Sequence, residues 1–243
     1  MKNIIIIQAR MGSSRLPGKI LLPLGKSTVL EYVVSRCQKI SDVQHVIVAT
    51  STLQQDDQIE AWCQEKHVDC YRGSETDVLS RYYECAIQYQ PDYVIRVTSD
   101  CPFVDFETAA LAIDAMKKEP SDILINRQQS EATRGLIVEM ISFKALEKIY
   151  HISTEQRHRE HVTYYAYEYA EEFKQTILDL PSFMLHPELR LTVDTEEDYN
   201  LCTTLTDHFG DRTDISSSEY IHYLLQHPEI AKLNAHIEQK PVI

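Results

Sequence analysis

The sequence predicts an α/β protein of three layers, with a mainly parallel mixed sheet covered by helices on both faces. Two observations carry this expectation. Apolar runs of strand length alternate with helical patterns through the first half of the chain, and repeated βα units of this kind build parallel sheets. The first run, Ile4 to Ile7, also empties directly into a basic loop, and Ser99-Asp100 follows the fourth run in the same way. Ligands of such sheets gather at the carboxyl ends of strands.

The elements follow in order. Strands are expected at 4–8, 45–50, 69–71, 93–98 and 122–126, with helices between them at 29–38, 56–65, 77–89 and 105–118. Val29, Val33, Val34 and Cys37 repeat at the spacing of a buried helical stripe, with Thr28 placed to cap it. Ala110, Leu111, Ile113 and Ala115 form the matching stripe of the helix that Asp105 caps. From about Ala132 the alternation ends. A strand at 136–141, a helix at 143–150, a polar helix at 155–169 and a strand at 176–180 form either a β-hairpin arm or a small subdomain. A returning strand at 188–192 then leads through Val193-Asp194 into a helix at 196–209. With no internal repeat and no low-complexity linker, residues 1–243 are expected to form one domain with an elaborated C-terminal part, and the tail beyond Pro228 to wrap or fray.

Composition narrows the function. The chain has 243 residues, 43% of them hydrophobic and 25% charged, which is the balance of an ordinary globular protein. Its formal charge of −13 argues against non-specific nucleic-acid binding. No apolar stretch approaches the roughly 20 residues that cross a bilayer, and the amino terminus does not read as a signal peptide. Six cysteines contain no C-x-x-C pair, so reduced thiols and a cytoplasmic location are expected.

Against that acidic background the segment from Gln8 to Lys19 stands out. It holds Arg10, Arg15, Lys19, two serines and two glycines. Glycines let backbone N–H groups approach oxygens, serines donate, and the cations add charge-assisted contacts, so the loop reads as a phosphate cradle. It is not a P-loop: five residues separate Gly12 from Gly18, Ile20 follows Lys19, and Pro17 removes a donor. Asp100 is placed either to hold a divalent cation at a strand end or to order the Cys101-Pro102 turn. Asp194 again ends a strand, while Thr195 caps the next helix and Glu196 to Asp198 enrich its first turn. Two strand-end aspartates and a cationic loop together make a metal–triphosphate site. His158 and His161, at i and i+3, lack a third ligand; Tyr164, Tyr165, Tyr167 and Tyr169 read as a packing face; Cys101 has no assignable His partner.

These motifs, in this order, resemble the cytidylyltransferase family that includes spore-coat polysaccharide biosynthesis protein F, and more distantly the enzymes that make CMP-sialic acid and CMP-Kdo. The resemblance runs through residues 4–19, 71–81, 96–102, 159–163 and 191–199. It implies a nucleotide-diphospho-sugar transferase fold (GT-A-like, Rossmann-like) with a small C-terminal arm. It implies CTP as cosubstrate, Mg²⁺ as cofactor, and formation of a CMP-sugar for surface or spore-coat polysaccharide. Carried over by position, Gln8, Ala9, Arg10, Met11 and Gly12 line the cytosine and ribose, and Ser14 joins the nucleotide set. Arg10, Arg15 and Lys19 hold the triphosphate, and Asp77 and Arg81 border the nucleotide pocket. Asp100 and Asp194 hold the metal, with Arg10, Lys19 and Asp100 the candidate catalytic set. Glu139, Arg159 and His161 face the sugar. Ile137 stands where relatives often carry an acid, and Ser99 where glycine is common; both departures touch the sugar pocket. The resemblance also implies a homodimer, with residues 132–182 as the dimerisation or sugar-binding insertion. Two other readings are a metal-dependent glycosyltransferase, whose usual D-x-D carboxylates are absent here, and a non-catalytic nucleotide-binding relative.

Overall fold

A computed structural model describes residues 1–238. The strands are β1 (Asn3–Gln8), β2 (Pro23–Leu24), β3 (Ser27–Thr28), β4 (His45–Ser51), β5 (Asp69–Gly73), β6 (Tyr93–Thr98), β7 (Ile123–Asn126), β8 (Glu139–Ser142) and β9 (Gln175–Leu178). The helices are α1 (Val29–Cys37), α2 (Asp57–Lys66), α3 (Val78–Tyr89), α4 (Phe106–Lys118), α5 (Phe143–Ile152), α6 (Gln156–Glu160), α7 (Tyr164–Glu168), α8 (Glu196–Phe209), α9 (Ser217–Gln226) and α10 (Pro228–Ala231).

Seven strands form one sheet in the order β5-β4-β1-β6-β8-β7-β9, and β2 and β3 make a separate small hairpin. β8 alone runs antiparallel to its sheet neighbours. β1 lies between β4 and β6 in register, so that Gln8 faces Ala49 on one side and Thr98 on the other. The carboxyl ends of β1, β4 and β6 therefore emerge side by side.

Alternation along β1 divides the core in two. Ile5 and Ile7 join Val33, Cys37, Ile59, Trp62, Ile113 and Met116 beneath α1, α2 and α4. Ile4 and Ile6 join Leu79, Tyr82, Cys85, Leu146 and Ile149 beneath α3 and α5. A strand of four isoleucines, fully buried on both faces, is what this three-layer arrangement requires. A third cluster gathers Leu136, Leu191 and Val193 with Leu201, Leu205, Tyr220 and Leu224 of α8 and α9. It fixes the segment that ends at Asp194.

Local signals set the helix starts. Thr28 accepts from Glu31 N, and Asp105 from Thr108 N. Thr195 and Asp198 form a reciprocal capping box at α8.

Four expectations are corrected. The strands around 136–141 and 176–180 do not pair as a hairpin arm, because β7 lies between β8 and β9 in the sheet. The polar helix at 155–169 breaks into α6 and α7, where His161 leaves helical geometry and Val162 turns into the core. Side chains tether both sides of the break: Arg159 reaches Asp77, and Thr163 reaches Glu139. The strand at 188–192 reduces to a single parallel bridge between Arg190 and Arg134. α4 buries Ala109, Ala112, Ile113 and Met116, which lie on one face at i, i+3, i+4 and i+7, whereas Leu111 lies off that face and stays half-exposed. Of the tail, α10 forms within the described residues, and residues 239–243 lie outside them.

The bridge at Arg134 depends on its neighbour. Gly135 sits at φ +95°, and a Cβ there would stand 2.4 Å from the Leu191 carbonyl oxygen. Gly135→Ala is expected to cost about 1–3 kcal/mol, from positive-φ strain plus the backbone clash. Urea unfolding should show it as a lower midpoint at unchanged slope; a midpoint equal to wild type would contradict the close approach.

Candidate active site

The loop after β1 is held from both sides by its own backbone and by one buried acid. Ala9 N donates to Ala49 O, and Met11 O accepts from both Ser13 N and Gly18 N. Gly18, at φ +69°, turns the chain into the short helical turn that begins at Lys19. Fully buried Asp56 accepts from Met11 N at 2.7 Å and also takes the Ser51 hydroxyl. Gly12 is packed so closely that a Cβ would meet the Gln55 amide nitrogen at 3.0 Å. Arg10, Gly12, Ser14 and Arg15 remain exposed, whereas Lys19 is turned inward and nearly buried.

Lys19 Nζ donates to Asp100 Oδ2 at 2.8 Å and to Asp194 Oδ1 at 2.7 Å. Three regions far apart in sequence thus meet on one ammonium group. Asp194 also accepts from Arg190 at 2.6 Å and pairs with Arg15 at 3.1 Å. Asp198 fixes this arrangement from behind: it binds Arg190 Nε at 2.9 Å through one oxygen and takes the Asp194 backbone N–H at 2.9 Å through the other. Asn234 closes the set by donating to the Arg190 carbonyl and to Asp198. Val193 N donates to Asp100 O at 2.7 Å, which ties the two aspartate-bearing segments through their backbones.

Burial alone would push the Asp194 carboxyl up, but Lys19, Arg15 and Arg190 together hold it below the usual aspartate range. Burial alone would lower the Lys19 ammonium, and Asp100 with Asp194 outweighs it, so the amine stays protonated beyond the ordinary lysine value. The cluster is therefore a charged one at neutral pH.

Two carboxylates that converge on one cation offer hard oxygen donors, the set Mg²⁺ takes when phosphate oxygens and water complete its shell. Among the described residues no group of three or more His, Cys, Asp or Glu side chains could form an all-protein metal cage. The donor chemistry thus fits a metal shared with substrate. Lys19, expected on the triphosphate, instead lies between the two aspartates expected on the metal.

The remaining expected site residues fall into two further groups. Asp77 caps α3 through Ser80 N and pairs with Arg159, whose other donor reaches the Tyr150 carbonyl. An expected nucleotide-side residue and an expected sugar-side residue are therefore locked to each other. Arg81 is buried, donates to Ser74 O and so holds the 73–77 turn, and it feels the charge of Arg10. On the other flank, Glu139 accepts from Arg96 at 2.9 Å and from the Thr163 hydroxyl, and Arg96 also reaches the Gln8 side chain at 3.2 Å. His161 lies within electrostatic reach of Arg96 and Glu139, and half-burial lowers its pKa from the usual histidine value.

A cytidylyltransferase family model matches residues 4–239. The chain belongs to the cytidylyltransferase family. It is 36% identical over 235 residues to spore coat polysaccharide biosynthesis protein SpsF of Bacillus subtilis, covering 94% of this chain and 96% of that one. An uncharacterized protein of Methanocaldococcus jannaschii is also 36% identical, over 99% of this chain and 97% of its own length. Among solved structures, a cytidylyltransferase from Leptospira borgpetersenii superposes with a TM-score of 0.88 at 32% identity, covering 99% of this chain and 100% of that one. The CMP:2-keto-3-deoxy-manno-octonic acid synthetase, solved with CTP, superposes at 0.63 with 16% identity, covering 86% and 99% of the two chains, and shares the fold.

Arg190, Asp198, Asn234 and Asp56 were not selected from sequence. Of these, Asp198 read only as one of the acids that enrich the first turn of the helix capped by Thr195. The charge state of Asp194 has a measurable consequence. Its folded pKa lies below the unfolded one, so the unfolded chain binds more protons below about pH 4, and stability is lost as pH falls through the folded value. Asp194→Asn is expected to unfold at lower urea than wild type at pH 7, with the gap closing below about pH 4. A gap that stays constant across pH would contradict the pairing.

Proposed function

We propose that this cytidylyltransferase moves a cytidylyl group from CTP to a sugar or sugar acid and releases pyrophosphate. The observation that carries the reading is the convergence of Lys19, Asp100 and Asp194 where the carboxyl ends of β1 and β6 meet. An acceptor oxygen attacks the α-phosphorus, the bond to the β-phosphate oxygen breaks, and pyrophosphate leaves with its electron pair.

In this reading Gln8, Ala9, Met11, Gly12 and Ser14 line the nucleoside and phosphates, with the Asp56 anchor keeping the loop in place. Arg81 and the Asp77–Arg159 pair shape the wall beyond. Arg10 and Arg15 meet the triphosphate, and Lys19 exchanges its aspartates for phosphate oxygens when CTP arrives. Asp100 and Asp194 would then hold Mg²⁺, which supplies charge neutralisation for the β- and γ-phosphates. Holding reactants aligned accounts for about 7–11 kcal/mol of barrier lowering, so no protein nucleophile is required. Glu139, Arg96 and neutral His161 face the acceptor. The same reading takes the product to feed surface polysaccharide assembly, as the name of the Bacillus relative says of that protein. It places the enzyme in the cytoplasm with its CTP, and takes residues 132–182 as the insertion through which a homodimer forms; half-exposed Ile152 and Ile177 lie in that segment.

Asp100→Asn is expected to reduce pyrophosphate release from CTP, Mg²⁺ and an acceptor panel by at least about 10²–10³-fold, assayed at a temperature where circular dichroism shows the variant still folded. Turnover at the wild-type rate would remove Asp100 from the chemistry. Lys19→Ala should weaken CTP binding by calorimetry by about tenfold or more, and unchanged affinity would remove the ammonium from the phosphate site.

A further inference from the structure

Asp100 and Asp194 do not stand open to a cation from solution, because the chain's own cations already hold one or both oxygens of each. Lys19 Nζ lies 2.8 Å from Asp100 Oδ2 and 2.7 Å from Asp194 Oδ1. The other Asp194 oxygen takes Arg190 at 2.6 Å and Arg15 at 3.1 Å. Three positive side chains thus press on the pair of carboxylates that would carry Mg²⁺. A small dication needs free carboxylate oxygens and is repelled by neighbouring positive charge. Lys19 opposes it on both counts: it occupies one oxygen of each aspartate and brings a charge of its own.

The cations differ in how they are held. Arg190 bridges Asp194 and fully buried Asp198 and is itself nearly buried, so it belongs to the frame. Lys19 is fixed through its backbone instead: its N–H donates to Leu16 O at 3.3 Å, and its carbonyl accepts from Leu22 N at 3.2 Å. Beyond that anchor a flexible four-carbon stem carries the ammonium, which can turn without moving the loop. The cluster is also open on one edge, where the Arg15 and Asp100 side chains are 29% and 26% exposed, against 10% for Lys19. A triphosphate arriving over that edge offers Arg15 and Lys19 oxygens of greater negative charge, and the ammonium can follow them out.

We propose that Lys19 bars divalent cations from the nucleotide-free enzyme by standing between Asp100 and Asp194, and that the triphosphate lifts this bar. Metal and nucleotide then enter together. The inference rests on the cytidylyl-transfer reading and adds to it an order of binding. Linkage makes the effect mutual: whatever factor CTP adds to metal affinity, the metal adds to CTP affinity. Lys19 thereby keeps the two aspartates from being filled by a metal ion that no substrate accompanies. It also keeps them compatible, since two neighbouring carboxylates without a cation repel each other.

The test follows Mn²⁺, a paramagnetic substitute for Mg²⁺, by electron paramagnetic resonance on the full chain. Without nucleotide, wild type and Asp100→Asn are expected to bind Mn²⁺ alike up to about 1 mM, because no ion reaches the aspartates. Lys19→Met keeps most of the stem and removes the charge. It should gain one Mn²⁺ site about 5- to 150-fold tighter than wild type offers, and Lys19→Met combined with Asp100→Asn should lose it again. Lys19→Arg keeps the charge and should exclude the ion as wild type does. With a CTP analogue whose α–β bridge is methylene, wild type should acquire the Asp100-dependent ion. Circular dichroism checks that each Lys19 variant is folded, and the comparison of wild type with Asp100→Asn, with and without the analogue, stands without them. An Asp100-dependent site in nucleotide-free wild type would overturn the proposal. So would a folded Lys19→Met protein that binds no more Mn²⁺ than wild type, or a wild type that gains no such ion with the analogue. Pyrophosphate release by an enzyme that binds Mn²⁺ at Asp100 before nucleotide would sink the exclusion while leaving cytidylyl transfer standing. A nucleotide-free site gained only by Lys19→Met, with no pyrophosphate from any acceptor, would do the reverse.

Discussion

One ammonium group organises this molecule's working end. Lys19 reaches inward from the loop after β1 and is clasped by Asp100 and Asp194, acids 81 and 175 residues further along the chain. Each of these groups is costly to bury alone and tolerable only with its partners in place. The clasp therefore requires that the β1 loop, the end of β6 and the segment before α8 be positioned together. The fold meets that requirement by separate means: the β1–β6 register, the Asp56 anchor on Met11, and the Arg190–Asp198–Asn234 brace behind Asp194.

In the proposed function, the same clasp is what lets a strongly acidic chain accept a polyanion. Arg15, Lys19 and Arg190 are held in place by carboxylates in the absence of substrate, so the cations are preorganised without a patch of unbalanced positive charge. In that proposal, phosphate oxygens replace carboxylate oxygens on Lys19 and Arg15 with little change in local charge type, and the released aspartates would suit a hard cation. Residues braced from behind, such as Arg190, keep their partners throughout.

Much of the fold was legible because its signals are local. Four consecutive isoleucines mark a strand buried on both faces, and Thr28, Asp105 and Thr195 announce their helices through short-range capping. The later part was harder to read. β8 and β9 join the sheet across β7, a long-range pairing that no local pattern encodes, and the break between α6 and α7 is set by contacts of Arg159 and Thr163 with distant partners. Lys19, Asp100 and Asp194 could be singled out in the sequence as charges at strand ends, and the structure brings these three together. Asp198 and Arg190 were hidden because a capping box and a strand residue already accounted for them. Asn234 gave no signal, since its partners lie on elements remote in sequence.

The most direct measurement is a crystal structure of the enzyme with CTP and Mg²⁺. The account predicts Lys19 Nζ on phosphate oxygens, with Asp100 and Asp194 turned to the metal. Nucleotide bound elsewhere, with the ammonium still seated between the two aspartates, would contradict it.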